Sequence, residues 1–583
     1  MRISVVIPTY NRRDLLARTL PTVLNQDFPS DQYEVIVVVD GSTDGTLEFL
    51  RSLSTPCALR IVEQPNRGIA AARNAGLRVA RADIVLFLDD DILSEPSLLQ
   101  EHARAHNDRA ACVAFGPPVS LNPEGAQSLT EEWVDRLWEA YRADLSRAPA
   151  FDPLRDTSMD SNRSGRRSVL LEAGGYDETL APMGFVTLDF GLRLWKQGVR
   201  FRFLPRAVTR QIYVNSSRQL LGTFAVWFGR SEVRICRRHR EFRPFSNLGA
   251  MAEGGPWKRF RRMVMVRQPV EPELLSRAPL ALAERLRYIP LIRRLGVLLV
   301  GKTYALADLR GAVLEAGSWG ALASEFGVRL PVFMYHNVGP YRPGTVEALT
   351  VSPERFQQQM RWLAHHGYTG ISAGQWVEWR EKAKPLPAKP VLLTFDDAYE
   401  DIVEHALPVV RALGFSATVF VVTQRIGQTN VWDEMRGRGT LKVMSASQIK
   451  EWAEKGIEFG AHSRTHPFLT TLDEAGVEAE VAGSRDDLAR LLGTPPVSFA
   501  YPYGDMNDKV QASAARNFRA AFTIEEGMNT LRTDPAALRR SMIWPANSLA
   551  DVALKLRLGK SPLENLPARL KHAVSKRWRA LFD

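Results

Sequence analysis

The sequence predicts two α/β domains in one chain. Three observations lead there: apolar runs of strand length recur in both halves, helical spacing separates them, and chemically capable polar residues stand where the runs end. Ile3-Ser-Val-Val-Ile7 is a first buried strand, broken by Pro8, Thr9, Tyr10 and Asn11. Helical spacing follows from Leu15 to Leu24. A second strand, Tyr33 to Val39, ends at Asp40-Gly-Ser-Thr-Asp44, and a third, Ile84 to Leu88, ends at Asp89, Asp90 and Asp91. Strands alternating with helices, each closing on polar residues, specify a three-layer parallel sheet with a ligand crevice at the strands' carboxyl ends. The Asp triplet can chelate Mg2+ or Mn2+, which neutralises a diphosphate.

In the C-terminal half, Val391-Leu-Leu393 delivers Asp396 and Asp397 to a strand end, and Ile457-Glu-Phe459 leads into His462, with His466 four residues on. A divalent metal needs nitrogen and oxygen ligands with a position left for water, and that water needs a base beside it. One Asp and two His can hold the metal while the second Asp takes the proton. The pattern is that of a hydrolytic site.

These residues resemble the NodB-homology polysaccharide deacetylases, carbohydrate esterase family 4, which remove N-acetyl groups from amino sugars. Phe499-Ala-Tyr-Pro-Tyr-Gly504 and the opening strand Pro331 to Val338 extend the likeness over roughly Arg329 to Asn547. The resemblance implies a distorted (β/α) barrel of NodB type, with its metal, Zn2+ by preference, at the strands' carboxyl ends. It makes Asp396 the general base, Asp397, His462 and His466 the ligands, and the backbone N–H of Tyr503 a donor to the oxyanion. The chain departs from the family twice. Relatives carry an Arg two residues before the motif's Pro, where it orients the base, and here Ala500 stands there. They also carry a late Leu-x-His as general acid, and here the stretch reads Leu538-Arg-Arg540. His336 is the nearest strand-borne candidate for the acid, and equally a hydrogen-bonded residue of the barrel rim.

The N-terminal half resembles the family 2 inverting glycosyltransferases of the GT-A fold. The matching pieces are Pro8 to Asn11, Val39 to Asp44, Asn66-Arg-Gly68 with Ala72-Arg73-Asn74, the Asp-x-Asp of Asp89 and Asp91, Asn162, Arg166-Arg167, Gly174 to Glu178 and Gly191 to Trp195. The likeness implies a nucleotide-sugar donor bound by Pro8, Thr9, Tyr10, Asn11, Asp40 and Arg73, with Asp89 and Asp91 at the metal-diphosphate. The family's base lies in a Glu-Asp pair, and here Val186 and Thr187 hold those places. Asp189 follows half a helical turn on, either as the base or as a helix N-terminal residue favoured by the macrodipole. The family's late metal-assisting His is also missing, with Thr209-Arg-Gln211 near its place. No Gly-x-Gly-x-x-Gly follows the first strand, which disfavours a dinucleotide-binding dehydrogenase.

At 583 residues the chain can bury two cores. Its Cys57, Cys112 and Cys236 form neither a zinc pattern nor a disulfide framework, as suits a reducing compartment. The first residues form a core strand rather than a leader, and no stretch reaches the roughly 20 apolar residues that span a bilayer, so a cytoplasmic location is expected. The net charge of +11 favours anionic partners. Arg230, Arg234, Arg237, Arg238, Arg240 and Arg243, Trp257 to Arg262, Leu282 to Leu299 and the C-terminal Leu566 to Phe582 are basic and partly apolar. No nucleic-acid module accompanies them, so they read either as a surface for peripheral contact with the anionic inner face of the cell membrane or as helices packed between the domains with a solvated basic face. The expected division is a transferase-like domain over 1–245, a basic helical connector over 246–327 and the barrel over 328–583. The expected activity is bifunctional, joining transfer from a nucleotide-sugar donor to deacetylation of an N-acetylated glycan or lipid-linked sugar. The alternatives are a deacetylase whose transferase-like domain only binds nucleotide or glycan, and an active transferase whose inactive esterase domain serves to bind sugar.

Overall fold

The computed structural model describes residues 2–107, 111–120, 128–147, 157–180, 185–212, 219–253, 272–342, 346–434 and 439–565. Its contacts divide the chain into two compact units, Met1–Leu248 with Gly254–Leu322, and Gly249–Glu253 with Ala323–Asp583. Most of the segment expected as a connector therefore packs with the first unit. The basic stretches Trp257 to Arg262 and Leu566 to Phe582 lie outside the described residues.

The first unit is built on β1 (Ile3–Thr9), β2 (Tyr33–Asp40), β3 (Ala58–Gln64), β4 (Ile84–Phe87), β5 (Ile92–Ser94), β6 (Cys112–Phe115), β7 (Pro118–Ser120), β8 (Arg163–Arg166), β9 (Arg200–Phe203) and β10 (Thr209–Gln211). Seven of these form one sheet in the order β3-β2-β1-β4-β8-β6-β9. β1 and β2 are buried at every position, as an apolar run covered on both faces requires. They pair in parallel from Ile3 opposite Tyr33 to Thr9 opposite Val39, which brings the polar residues following each strand to one edge. The sheet is not wholly parallel, because β8 runs antiparallel to β4 and β6. Helix α1 (Arg13–Leu24) buries Leu16, Leu20 and Val23, and α2 (Ile69–Val79) buries its alanines and Leu77.

Beyond α3 (Phe185–Lys196) come α4 (Ala225–Arg238), α5 (Pro272–Arg285) and the long α6 (Pro290–Ala316). α4 and α6 touch backbone to backbone at two glycines. A Cβ on Gly229 would stand 1.7 Å from the Asp308 carbonyl oxygen, and one on Gly311 2.0 Å from that of Val226. Only glycine permits that approach. Among the described residues, no helix is long and apolar enough to cross a membrane.

The second unit contains β11 (Val332–Tyr335), β12 (Asn337–Val338), β13 (Thr350–Val351), β14 (Thr369–Ile371), β15 (Pro390–Phe395), β16 (Thr418–Val421), β17 (Glu458–Ala461), β18 (Ser498–Ala500), β19 (Ala520–Phe522) and β20 (Ser541–Met542). Its main sheet runs β19-β18-β17-β16-β15-β11-β20, with β14 also on β15, and every pairing is parallel. The ladder does not close between β19 and β20, so the barrel is an open, distorted one. Phe333, Tyr335, Leu393, Phe395, Val419, Val421 and Phe459 anchor a hydrophobic core beneath the helices.

Candidate functional site

At the carboxyl ends of β15 and β17 the backbone leaves its strands under strain. Asp397 (φ 68°), Ala398 (φ 51°), Ser463 (φ 61°) and His466 (φ 64°) all occupy the left-handed region that non-glycine residues seldom visit. The result is convergence. Asp397 Oδ1 lies 3.6 Å from His462 Nε2 and 3.4 Å from His466 Nε2. One ligand atom from each of the three residues lies within 4.8 Å of the others.

The protonation states suit a cation. His462 Nδ1 sits 2.8 Å from the Ala500 carbonyl oxygen, to which it donates, leaving the Nε2 lone pair toward Asp397. Burial pulls His462 down to about 4, so the ring is neutral. Burial first, and then the charges of Asp396 and Asp433, push Asp397 well above the usual carboxylate range. Its buried Oδ1 has no hydrogen-bond partner among the described residues. A carboxylate and two imidazoles arranged in this way fit a divalent metal. His466 is held between Trp432, stacked at 4.7 Å, and the edge of Tyr503 at 4.4 Å.

Asp396 is treated differently. Arg540, itself fully buried, grips both its oxygens, Nη1 to Oδ1 at 2.6 Å and Nη2 to Oδ2 at 2.9 Å. Burial alone would raise the Asp396 pKa, but the charge and hydrogen bonds of Arg540 outweigh it and hold the carboxyl below the usual range. Two adjacent carboxylates thus have opposite tendencies, one kept ionised and one short of positive charge. His336 is half-buried, and its Nδ1 has no partner among the described residues. Tyr503 has φ 59°, and its ring stacks on Phe468 at 4.5 Å.

In the first unit a cavity of about 470 Å3 opens at the strands' carboxyl edge, and Pro8, Thr9, Tyr10, Asp40, Asp89 and Asp91 all line it. Asp40 accepts from the backbone N–H groups of Arg67 (2.9 Å) and Gly68 (2.8 Å) and from Gln64 Nε2 (2.7 Å), so it shapes the loop entering α2. Asn11, at φ 51°, accepts from Thr43 N at 2.7 Å and ties the turn after β1 to the turn after β2. Arg73 is buried behind the cavity and donates to Asp89 at 2.7 Å. Arg12 donates to Asp90 at 2.9 Å and lies 3.5 Å from Asp91. Burial, reinforced by Asp89 and Asp90, pushes Asp91 up to about 7. Gln211 Nε2 lies 3.3 Å from Asp91 Oδ2.

Comparison with known proteins bears on both sites. Residues 4–173 match the family model of glycosyl transferase family 2, and residues 383–521 that of polysaccharide deacetylase. The chain joins a family 2 glycosyltransferase domain to a polysaccharide deacetylase domain. The validoxylamine A glucosyltransferase of Streptomyces hygroscopicus subsp. jinggangensis is 35% identical over 235 residues, 36% of this chain and 54% of its own. The poly-beta-1,6-N-acetyl-D-glucosamine N-deacetylase of Staphylococcus epidermidis is 25% identical over 209 residues, 34% of this chain and 69% of its own. The chain thus spans about half the length of the transferase relative. Among solved structures, Streptococcus pyogenes deacetylase PplD in complex with acetate is 27% identical, covering 39% of this chain and 98% of its own, with a TM-score of 0.35, too low to bear on the fold.

Asp189 of the transferase domain lies apart from the other expected site residues. Its side chain is wholly buried and does not line the cavity. Its oxygens meet His239 Nε2 at 2.8 Å, Arg193 Nε at 2.9 Å and Arg238 Nε at 3.1 Å. Burial would raise its pKa, but the hydrogen bonds from His239 and Arg193 win and lower it. Val186, one turn earlier on α3, is the residue of that stretch that reaches the cavity. Two further residues, Arg12 and Arg540, were not picked out in the sequence as site residues. Arg12 directly follows the Pro8 to Asn11 motif and could have been noticed. Arg540 stands within the Leu538-Arg-Arg540 stretch, where attention goes to the missing imidazole.

Proposed function

We propose that the protein is a bifunctional cell-envelope glycan enzyme that transfers a sugar from a nucleotide-sugar donor and hydrolyses N-acetyl groups of amino sugars. The observation that carries the hydrolytic half is the pairing of the Asp397, His462 and His466 cluster with an Asp396 kept ionised by Arg540. A divalent cation, Zn2+ by preference, held by those three residues would supply Lewis acidity and an acidified water. Asp396 takes the proton from the attacking water. The backbone N–H of Tyr503 donates to the oxyanion as the carbonyl carbon becomes tetrahedral. His336 is the candidate to protonate the amine as the C–N bond breaks, releasing acetate. The name of the staphylococcal relative supports a polymer or precursor of N-acetylglucosamine as substrate. Acetate release from N-acetylated chito-oligomers, in wild type against Asp396→Asn with metal content measured alongside, tests this half. Retained metal with no release from any N-acetylated substrate would leave a sugar-binding module instead.

In the transferase half, Asp89 and Asp91 would hold Mg2+ or Mn2+ against the donor diphosphate, with Pro8, Thr9, Tyr10 and Asp40 around the nucleoside. Asn11 and Arg73 support that wall from behind. Nucleotide release from a panel of UDP-sugars, lost in Asp91→Asn, is the corresponding test. A second reading has its own support: Val186 faces the cavity where a base belongs and Asp189 is locked in ion pairs, as expected of a domain that binds donor without turnover. Donor binding without nucleotide release would favour it. We place the enzyme at the inner face of the cell membrane, where a lipid-linked acceptor is within reach.

A further inference from the structure

Part of the basic charge that the sequence offers for a membrane surface, at Arg234, Arg238 and Arg243, is already paired or buried within the first unit. Arg234 is bonded to Glu315 at 2.8 Å, Arg238 to Asp177 at 2.7 Å, and Arg243 is buried. The exposed apolar surface lies elsewhere, on α5, α6 and the turn between them. Tyr288 is 83% exposed, Leu291 67%, Leu295 56% and Leu298 57%, with Leu282, Leu286 and Ile289 also exposed. Leu291, Leu295 and Leu298 recur at i, i+4 and i+7, so they share one face of α6. The opposite face buries Gly296, Val297, Val300 and Thr303. Val297 and Val300 pack against Leu129 and Leu221. The helix is therefore apolar on both faces, and among the described residues only one of them is covered.

Cationic residues frame the uncovered face. A cavity of about 880 Å3 beside it is lined by Arg136, Arg287, Arg293 and Arg294 together with Tyr288 and Leu291. Glu132 and Glu284 neutralise part of that charge, pairing with Arg293 at 2.6 Å and Arg287 at 2.7 Å. Arg285, Arg294 and Lys302 have no acidic partner among the described residues, and all three are exposed. Apolar side chains ringed by unneutralised arginines match one environment well, the interface where acyl chains meet phosphate headgroups. A neutral protein partner would leave the cations unmatched, and a polyanion in water would leave the leucines unmatched.

We infer that the α5–α6 turn is a docking surface for an anionic phospholipid bilayer, with Tyr288, Leu291, Leu295 and Leu298 seated among the acyl chains and Arg285, Arg294 and Lys302 on the phosphates. The inference sharpens the proposed membrane location and does not require either activity. The test is co-sedimentation of the full chain with phosphatidylcholine vesicles, with and without phosphatidylglycerol. Binding is expected only with the anionic lipid and weakens at high salt. The double variant Leu291→Ser, Leu295→Ser should lower the partition coefficient roughly tenfold, and Arg294→Ala about fivefold, with thermal unfolding unchanged. Equal binding by wild type and variants, or no binding, overturns the inference. So does a dimer in solution that the leucine variant dissociates, since the face would then belong to a second copy. Acetate and nucleotide release measured on the same preparations keep a failure of the proposed activities distinct from a failure here.

Discussion

Arg540 clamps Asp396 through two parallel hydrogen bonds of 2.6 and 2.9 Å, and both residues are buried. The two lie 144 positions apart in the chain. The clamp supplies what Ala500 cannot, a fixed guanidinium that orients the proposed base and keeps it charged. It also accounts for the contrast between neighbouring carboxylates. Arg540 favours the charge on Asp396, while burial and that same charge disfavour ionisation of Asp397 until a cation arrives.

Replacing Arg540 by Met should lower acetate release by roughly two orders of magnitude and move the acid limb of its pH profile upward. The sign follows from the depressed Asp396 pKa. A carboxyl lowered in the fold contributes stability above its unfolded pKa of about 3.9 and loses it as pH falls through the folded value. Without the clamp that contribution disappears, and unfolding at neutral pH becomes easier by about 3 kcal/mol, the usual result of stranding a buried charge. Arg540→Lys should recover charge but not the bidentate geometry, and so part of the rate. An unmoved pH profile in the Met variant would count against the clamp.

The proposed metal set and the proposed base are separable by elemental analysis. His462→Ala, His466→Ala and Asp397→Asn should each lose the bound ion, whereas Asp396→Asn should keep it and lose only turnover. Chelation should lower the unfolding midpoint of wild type, since an ion present at a hundredfold excess over its dissociation constant adds about 2.7 kcal/mol, and should leave the three ligand variants unmoved. An Asp396→Asn protein purified without metal would merge the two roles and defeat this assignment.

The parts of the fold legible in the sequence are those buried on both faces. β1, β2 and β15 are predominantly apolar runs, and their ends announce Thr9, Asp40, Asp396 and Asp397. β8 is different: Arg163-Ser-Gly-Arg166 carries no apolar run, yet it lies antiparallel within the sheet, held by its neighbours rather than by its own pattern. Direction is the other quantity a sequence conceals. Asp189 stands half a helical turn past the family's base position, and helical rotation turns it toward Arg193, His239 and Arg238 rather than toward the cavity. The spacing of Asp189 and Arg193 at i and i+4 was the available clue. Arg540 was hidden for a simpler reason, since nothing local links residue 540 to residue 396.

Asp189→Asn separates structure from catalysis in the transferase domain. Removing the charge of a wholly buried carboxylate that holds three basic partners should cost about 3 kcal/mol, seen as a lower midpoint in urea with an unchanged slope. Donor affinity, measured by calorimetry with a UDP-sugar in the presence of Mn2+, should stay within about twofold of wild type, because the carboxylate does not reach the cavity. Asp91→Asn should show the reverse, near-normal stability with donor affinity lost. A large loss of nucleotide release in a stable, donor-binding Asp189→Asn protein would restore Asp189 as the base.

The contact between α4 and α6 carries a pH dependence of its own. Asp308 faces the buried Glu232, and burial first, then the Glu232 charge, pushes the Asp308 carboxyl well above its ordinary value. Glu232 is itself fixed by the backbone N–H of Asn247 at 2.6 Å. A carboxyl raised in the fold leaves the protein most stable below the unfolded pKa of about 3.9, and that stability is lost as pH climbs through the folded value. Asp308→Asn removes the titration while keeping the shape. The variant should therefore unfold at a higher temperature than wild type at pH 8, and the gap should close as the pH is lowered toward 5. The same two glycines that let the helices touch make relaxation by separation costly, so the penalty stays with the charge pair. A gap that stays constant with pH would show that Asp308 is already neutral or solvated in wild type, and would remove the coupling from the account.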